Sequence, residues 1–537
     1  MRRFSSYGPI DRELHYYVPR QKLISEIFQQ LKGHDPNKGG RYLTVWGPRQ
    51  TGKTWIMREV FLKFQQDAQF DVVILPLQDI SLVTDINRVV QILVRQLTKQ
   101  LNLEKLAISS SDDFYRLFER QILRKPLILI LDEFDSLEPT VIAWLVSLFR
   151  NIYHSRQNQV EKSTFDKDYR LHGIALIGVH AVLGLDNIKG SPFNVQRSIP
   201  IPNLTYEEVV NLFNQYQQES GQLIEPEVVE GLWYEFQGQP GLTSWMGELL
   251  TETYNQAIDQ PINKAHFEGV LAAALNLLPN NNVLNIISKA KREPYKSLVL
   301  ELFQTKQKIK FTFHDPIIHF LYMNGVVAVE PESLTEHYVK FPCPYLQKQL
   351  FNHFARELYH EMDGLYGPFE DLSDTITDCN LNLRQLLLRY EQYLQANRDQ
   401  VLKNAPRRQD DLRVYEAVFH FHLYFYLVSF LSGYDAHVAP EFPTGNGQID
   451  LLIRYAGQLF GLELKSFANK QQYNKALIQA AQYGRQLGVT SIWLVLFIES
   501  VDETNRQLFE MDYTNAGITV HPQFVQTGSV TLASQMT

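Results

Sequence analysis

The sequence of 537 residues predicts an α/β protein with two sheets, one toward each end, and a helical region between them. Three observations support this prediction. In residues 1–204, short apolar runs alternate with stretches of helical periodicity, as a parallel sheet covered by helices requires. From Thr205 the pattern becomes helical, and further strand patterns begin after residue 412. A chain of this length exceeds one hydrophobic core, so several domains are expected.

The first sheet is predicted from five apolar runs that are bounded by polar or turn-forming residues. These runs are RYLTVWG (41–47), DVVILPLQ (71–78), PLILILDEF (126–134), HGIALIGV (172–179) and SIPIPNL (198–204). Helical stretches such as INRVVQILVRQLTKQL and VIAWLVSLFRNIYHS lie between them. Residues 1–204 are therefore predicted to form one parallel-sheet domain.

A complete phosphate-binding loop follows the first of these strands. It fits G-x-x-x-x-G-K-[ST] and consists of Gly47, Pro48, Arg49, Gln50, Thr51, Gly52, Lys53 and Thr54. Because the loop stands after a strand and opens a helix, its backbone N–H groups and the helix dipole favour bound phosphate. Lys53 is expected to reach the β- and γ-phosphates of ATP, and the Thr54 hydroxyl is expected to ligate Mg²⁺.

An acidic pair ends the strand predicted at 126–134. The apolar run before the pair is typical of a strand that is buried on both faces. Asp132 is expected to hold Mg²⁺, directly or through water, and Glu133 is expected to orient the attacking water. ATP and Mg²⁺ are therefore the predicted cofactors, and ATP hydrolysis is the predicted reaction.

The middle of the chain is predicted to be mostly helical. Residues 205–260 form a lid of helices, opened by a capping box at Thr205 and Glu208. In residues 261–365, amphipathic helices precede an alternating stretch around a polar turn, which is the order of a winged helix. Residues 366–411 are predicted to be connecting helices.

The first half of the chain resembles the AAA-like ATPase domain common in cyanobacterial proteins, which belongs with the STAND-type and archaeal-type AAA ATPases. The resemblance rests on YVPRQKLISEIF, GPRQTGKT, ILILDEFDSL, DYRLHGIALIGV, SPFNVQRSI and FQGQPGLT, in this order. It implies that Arg20 lies near the nucleotide. It also implies that Pro240, in the turn that begins at Gly238, contacts nucleotide from the lid.

A second group of polar residues lies in the α/β region predicted at 412–515. Asp450 opens one predicted strand, and Glu463 and Lys465 lie on the next. Because side chains alternate along a strand, Glu463 and Lys465 share one face. Carboxylate oxygens suit Mg²⁺, and a lysine beside the metal can position water and offset charge developing on a phosphodiester.

This region resembles the PD-(D/E)xK nuclease superfamily, which has a restriction-endonuclease-like α/β fold. Asp450, Glu463 and Lys465 match its D…ExK triad. The resemblance assigns further catalytic roles to Glu416, on the preceding aromatic-rich helix, and to Gln479 and Tyr483, which match a Q-x-x-x-Y element. The proline that often precedes the aspartate in this superfamily is absent here.

The order of these regions resembles bacterial fusion proteins in which an AAA-like ATPase and a winged helix precede such a nuclease domain. It implies an ATP-controlled, metal-dependent DNA nuclease in phage defence or mobile-element biology. A non-catalytic alternative stays open, namely a nucleotide-gated scaffold or regulator that binds nucleic acid or a protein. Convergence of the D…ExK side chains would favour the nuclease. Homo-oligomerisation also stays open.

Composition narrows the classes of protein to which the chain can belong. A net charge of −8 argues against a protein that is basic overall but leaves local basic grooves open. Two cysteines without paired spacing argue against disulfide scaffolds and zinc ribbons. No apolar run is long enough to span a bilayer, and the N-terminus lacks a secretory pattern. The chain is expected to be cytoplasmic without a membrane partner, and residues 516–537 are expected to form a loosely ordered tail.

Overall fold

The computed structural model divides the chain into two compact units. The first comprises Met1–Asn276 and Met323–Gly325, and the second comprises Leu277–Tyr322 and Val326–Thr537. The residues that the structure describes are 1–8, 10–103, 106, 108–178, 196–304, 308–359, 362, 364–367, 370–403, 405, 417–441, 450–467 and 469–528.

The first unit contains a five-stranded sheet in the order β2-β3-β4-β1-β5, and all neighbouring strands are parallel. The strands are β1 (Tyr42–Trp46), β2 (Asp71–Pro76), β3 (Leu127–Asp132), β4 (Leu171–Gly178) and β5 (Gln196–Pro200). They lie where the apolar runs predict them. Strands β1, β3 and β4 are buried along their whole length, as expected for a sheet with helices on both faces.

Four helices cover this sheet: α1 (Gln21–Lys32), α2 (Lys53–Gln65), α3 (Ile86–Gln100) and α4 (Pro139–Gln157). The apolar side chains of α1 and α2 pack on one face, and those of α3 and α4 pack on the other. Because the strands are parallel, their carboxyl ends meet at a single edge, where the phosphate-binding loop and Asp132 both lie.

The lid region contains α5 (Tyr206–Ser220), α6 (Pro226–Phe236), α7 (Pro240–Glu248) and α8 (Lys264–Asn276). The predicted capping box is confirmed, since Glu208 N donates to Thr205 Oγ1 (3.2 Å) and Thr205 N donates to Glu208 Oε2 (2.9 Å). The first unit continues to Asn276 and includes α8, which lies beyond the predicted end of the lid at residue 260.

The second unit begins with helices and a hairpin. Its first elements are α9 (Asn281–Ala290), α10 (Tyr295–Gln304), α11 (Pro316–Met323), β6 (Ala328–Pro331), β7 (His337–Lys340), α12 (Pro344–Leu358), β8 (Ile376–Thr377), β9 (Asn380–Leu381), α13 (Leu383–Ala396) and α14 (Arg398–Lys403). Strands β6 and β7 pair antiparallel. The hairpin lies where the sequence predicts one, after α10 and α11.

A six-stranded mixed sheet follows, in the order β10-β11-β12-β13-β15-β14. Its elements are α15 (Ala417–Phe430), β10 (Ala436–Glu441), β11 (Asp450–Tyr455), β12 (Gln458–Ser466), α16 (Lys470–Gln486), β13 (Ser491–Ile498), α17 (Glu503–Phe509), β14 (Tyr513–Asn515) and β15 (Ile518–Gln526). A two-residue turn at Ala456 and Gly457, both with positive φ, joins β11 to β12.

The structure differs from the predicted tail at 516–537. Residues 518–526 form β15, which pairs with β13 and β14. Val520 and Phe524 are buried in the core that this strand shares with α16. Polar residues such as Thr519 and His521 alternate with these apolar ones, and they give the segment the composition of a tail although it has the period of a strand.

Among the described residues, no single helix is long and apolar enough to cross a membrane. The bent pair α8 and α9 would together be long and apolar enough, judged by length and composition only.

Candidate functional sites

The phosphate-binding loop joins β1 to α2 in a tightly turned conformation. Gly52, the N-cap of α2, has a φ of 85°, which disfavours residues with a Cβ. Gln50 also has a positive φ, at 59°. A Cβ on Gly47 would lie 3.1 Å from Thr51 Oγ1, so the start of the loop is closely packed. These local requirements explain both glycines of the motif.

Lys53 is the first residue of α2, and its side chain turns back onto the loop. Its Nζ donates to Gly47 O and Pro48 O, each at 2.7 Å. Burial lowers the pKa of Lys53 to about 8, and the nearby Asp135 and Asp132 carboxylates oppose this shift. The ammonium is thus held among the loop carbonyls at the carboxyl edge of the sheet.

Asp132 ends β3 and is 7% exposed. Its Oδ1 accepts from Glu133 N (3.0 Å), and the Thr54 hydroxyl is a further hydrogen-bond partner. Burial raises the pKa of Asp132. An alcohol oxygen and a carboxylate oxygen therefore stand side by side, and this donor set fits Mg²⁺.

Glu133 is exposed and has a φ of 56°, so the chain turns sharply after β3. The Gln78 amide, with its nitrogen directed at Glu133, donates to both carboxylate oxygens (3.0 and 2.5 Å). The partial desolvation of its carboxyl group, followed by the Asp132 charge, raises the pKa of Glu133. Gln78 belongs to no motif and was not predicted from the sequence. The available signal was the position of Gln78 just after β2. Strands β2 and β3 end at the same edge of the sheet, where Pro76 lies opposite Asp132.

The lid contacts the phosphate-binding loop through the start of α7. Gln239 caps this helix by accepting from Leu242 N (2.5 Å), and its Nε2 donates to Arg49 O (3.3 Å) and Gln50 O (3.4 Å). Gly241 N also donates to Gln50 O, at 3.1 Å. The predicted turn before Pro240 therefore lies against loop residues, and Gln239 rather than Pro240 makes the hydrogen bonds.

Arg20 precedes α1, and its guanidinium binds backbone oxygens. It donates to Pro202 O (2.7 Å) and Asn203 O (3.0 Å), and it pairs with Glu208 at 3.7 Å. These contacts fasten the start of α1 to the segment that leads from β5 into the lid. A role of Arg20 toward nucleotide stays a prediction.

The second unit brings the three residues of the predicted D…ExK triad together. Asp450 on β11 lies directly opposite Glu463 on β12, and Lys465 Nζ is 2.9 Å from Glu463 Oε1. All three side chains are buried, Asp450 being 1% exposed. Burial raises the pKa of Asp450 well above its usual range, and the Glu463 charge adds to this effect. Burial also raises the pKa of Glu463, whereas Lys465 acts in the opposite sense.

Three carboxylate oxygens of this group, Asp450 Oδ1 and both oxygens of Glu463, are buried without a hydrogen bond of good geometry in the described part of the chain, and Glu463 Oε1 has only its ion pair with Lys465. Buried carboxylate oxygens without donors favour either a proton, as the raised pKa of Asp450 indicates, or a bound cation. The donor set fits Mg²⁺ in kind. Nevertheless, no three Asp, Glu, His or Cys side chains among the described residues are arranged around a common metal position.

Three further residues were predicted for this site: Tyr483, Gln479 and Glu416. Glu463 lies opposite Leu494 of β13, and the Leu494 side chain packs against α16. Because residues opposite each other project from the same side of a sheet, the triad is on the face that α16 covers. Tyr483 of α16 is buried in that core, whereas Gln479 is exposed. Glu416 lies outside the described residues.

Comparisons with known proteins agree with the architecture of the first unit. A family model described as an AAA-like domain matches residues 5–276, half of the chain. No curated protein matches the sequence.

Several solved structures are similar to this chain over part of its length. A Walker-type ATPase of Pyrococcus abyssi is 12% identical over 65% of this chain and 99% of that chain, with a TM-score of 0.43. The ORC1 protein of Aeropyrum pernix, solved in complex with DNA, is 15% identical over 64% of this chain and 95% of its own, with a TM-score of 0.33. Cdc6p of Pyrobaculum aerophilum is 14% identical over 64% of this chain and 97% of its own, with a TM-score of 0.34.

Proposed function

The chain belongs to the AAA-like domain family, and from this premise we propose that its first unit binds ATP with Mg²⁺ and hydrolyses it. The observation that carries the proposal is the meeting of Lys53, Thr54, Asp132 and Glu133 at one edge of a parallel sheet. Bound phosphates would replace the loop carbonyls as partners of the Lys53 ammonium. Thr54 and Asp132 would hold Mg²⁺, which neutralises phosphate charge when bound. Glu133 would orient the attacking water.

ATP binding is tested by comparing the parent with Lys53→Ala. Lys63→Ala is the matched control, because Lys63 lies on the same helix and contacts Ser25 rather than the loop (3.4 Å). We expect Lys53→Ala to weaken ATP binding by at least about tenfold, since a charged hydrogen bond contributes about 1.5–3 kcal/mol. Lys63→Ala should bind like the parent. Equal affinities for all three proteins would remove the basis of the proposal.

We further propose that the second unit is a metal-dependent DNA nuclease under ATP control. The supporting observation is the buried convergence of Asp450, Glu463 and Lys465, with carboxylate oxygens that lack donors. A bound Mg²⁺ would act as a Lewis acid on the phosphodiester. Lys465 would position the attacking water and offset charge on the phosphate. The assignments to Gln479, Tyr483 and Glu416, and to phage defence or mobile elements, rest on the resemblance alone. The winged helix is inferred from the order of helices and hairpin in the sequence.

A non-catalytic scaffold is the second candidate, and one observation favours it. Lys465 already pairs with Glu463 in the buried group, and such a pair can be structural. The direct opposition of Asp450 and Glu463 favours the nuclease instead, because facing Cβ atoms lie only about 4.5–5.5 Å apart. The two candidates differ in whether the chain cleaves DNA.

Cleavage of linear and circular DNA with Mg²⁺ or Mn²⁺, with and without ATP, distinguishes them. Asp450→Asn removes one carboxylate charge from the buried group, and Asp435→Asn is the control, because Asp435 is exposed just before β10. Cleavage that disappears only in Asp450→Asn supports the nuclease. Normal ATP binding without cleavage by any of the three proteins supports the scaffold.

A further inference from the structure

A third carboxylate stands in register with the predicted triad. Glu441, the last residue of β10, lies directly opposite Asp450, which in turn lies opposite Glu463. Residues that face each other across neighbouring strands project from the same side of a sheet. Glu441, Asp450 and Glu463 therefore form a row of carboxylates on three adjacent strands. Strand β10 was not predicted from the sequence, so Glu441 was not among the predicted site residues.

The carboxylate of Glu441 is engaged differently from the other two. Lys348 Nζ donates to Glu441 Oε1 at 2.9 Å. Lys348 lies on α12 with a side chain that is 3% exposed, whereas the side chain of Glu441 is 24% exposed. A buried ammonium requires a counter-charge, so Lys348 draws the Glu441 carboxylate toward α12. The Glu441 carboxylate is thus engaged by Lys348, and among the described residues no three carboxylates surround one position.

Charge balance also indicates a third carboxylate. A divalent cation held by Asp450 and Glu463 beside the Lys465 ammonium would leave one uncompensated positive charge in a buried site. Uncompensated buried charge is strongly unfavourable. Glu441 at the cation would compensate this charge in a state in which Lys348 is exposed to water or uncharged, because Glu441 is also the counter-charge of Lys348. The Asp450 Oδ1 and Glu463 Oε2 oxygens without donors mark where the cation would lie.

We propose that Glu441 is the third carboxylate ligand of the metal site at Asp450 and Glu463, and that Lys348 of α12 holds it off that site. The inference rests on the proposed nuclease function and adds a positioning residue to it. Movement of α12, or loss of the Lys348 charge, releases Glu441 to the metal. The metal site is thus completed only when α12 gives up its ion pair with β10.

The test is Mn²⁺ binding to the nucleotide-free full-length protein, measured by calorimetry and by electron paramagnetic resonance. Glu441→Gln should weaken the Asp450-dependent binding by about tenfold or more, because it removes a charged ligand. Lys348→Met keeps the side-chain length and removes the charge, so it should tighten binding by about tenfold. The double variant should bind like Glu441→Gln alone, because Lys348 acts through Glu441.

Three controls make the outcome specific. Lys475→Met removes an exposed lysine of α16 and should leave Mn²⁺ affinity unchanged, which excludes a general charge effect. Thermal unfolding of each variant checks that the second unit is folded. Asp450→Asn identifies the site by abolishing the binding.

If Asp450→Asn abolishes Mn²⁺ binding while Glu441→Gln and Lys348→Met leave it unchanged, the role of Glu441 is wrong and the proposed metal site stands. Absence of any Asp450-dependent Mn²⁺ binding in the parent would overturn both. Tighter binding in the double variant than in Glu441→Gln would show that Lys348 acts on the site directly, which also contradicts the proposal.

Discussion

Glu133 is the residue at which binding and hydrolysis of ATP can be separated. Its carboxylate is exposed beside Asp132, and Gln78 holds it. Glu133→Gln removes the charge that would orient water but leaves the phosphate-binding loop intact. We expect ATP affinity within about twofold of the parent and hydrolysis lower by about 100-fold or more. Phosphate release and equilibrium nucleotide binding measure the two quantities.

Glu138→Gln is the control for this prediction, because Glu138 lies on the same connection, immediately before α4. It should hydrolyse ATP like the parent. Hydrolysis by Glu133→Gln at the parental rate would mean that another residue activates the water.

Lys53 should make ATP binding depend on pH. Burial lowers its pKa to about 8, so the nucleotide-free protein loses this positive charge as pH rises through that value. Phosphates favour the charged form, and binding therefore takes up a proton at higher pH. The ATP affinity should be flat below about pH 7 and should fall above pH 8 by at most about tenfold per pH unit.

Lys53→Arg supplies the comparison, because a guanidinium stays charged over this range. Whatever its absolute ATP affinity, this variant should lack the decline in affinity with rising pH. Titrations by calorimetry between about pH 6.5 and pH 9.5 measure both profiles. The same slope in both proteins would assign the effect to another group.

Residues whose chemistry depends on local sequence were predictable, and those that depend on pairing between distant strands were not. Gly52 and Lys53 follow from one motif, because their turn and helix are encoded within eight positions. Gln78 and Glu441 stand outside any motif. Gln78 reaches Glu133 because β2 adjoins β3, and Glu441 lies opposite Asp450 because β10 adjoins β11. Strand order depends on tertiary structure, so it cannot be inferred from the hydrophobic periodicity of a single segment.

The same distinction holds for the elements. The capping box at Thr205 and Glu208 is a local signal, and the structure confirms it. The parallel strands of the first sheet are continuous apolar runs and were predicted for that reason. Strand β15 was not predicted, because it mixes Thr, His, Pro and Gln with its buried residues. Its place between β13 and β14 buries the apolar positions, which the sequence alone does not reveal.

Gln239 links two elements, and its two functions can be separated. Its side-chain oxygen caps α7, and its nitrogen donates to the carbonyls of Arg49 and Gln50. Gln239→Ser keeps a capping oxygen but is too short to reach the loop. We expect the stability to be nearly unchanged and the ATP affinity to fall by about threefold, since ordering the loop then costs binding energy.

Gln239→Ala removes the cap as well, so it should also lower the free energy of unfolding by about 1 kcal/mol. Chemical denaturation and ATP titration of the same preparations measure both effects. Unchanged ATP affinity in both variants would show that the lid does not order the loop through this side chain.

At the scale of the whole molecule, bulk composition conceals the chemistry of both units. The net charge of −8 gives no indication of a site for phosphates, yet the proposed ATP site would hold them with the loop amide groups and Lys53. Likewise, the acidic residues of the second unit include the row of Glu441, Asp450 and Glu463, in which Lys348 pairs with Glu441 and Lys465 pairs with Glu463. The distribution of charge within each unit therefore determines its partners, and the total does not.

Control of the second unit by ATP is the prediction that concerns the whole chain. If ATP binding favours the cleaving state, DNA cleavage by the parent should rise by about tenfold on addition of ATP, which corresponds to a coupling of about 1.4 kcal/mol. Lys53→Ala should cleave at the rate without ATP under all conditions. Lys63→Ala should respond like the parent. Cleavage of labelled linear DNA over time measures the rates.

Glu133→Gln shows whether binding or hydrolysis provides the control. After a single limiting addition of ATP, cleavage by the parent should slow as the nucleotide is consumed, because the ATP-bound population declines. Glu133→Gln should continue to cleave, since it keeps its ATP. If DNA cleavage slowed at the same rate in both proteins, the activity of the second unit would not depend on bound ATP. Cleavage by Lys53→Ala at the ATP-stimulated parental rate would show that the two units act independently.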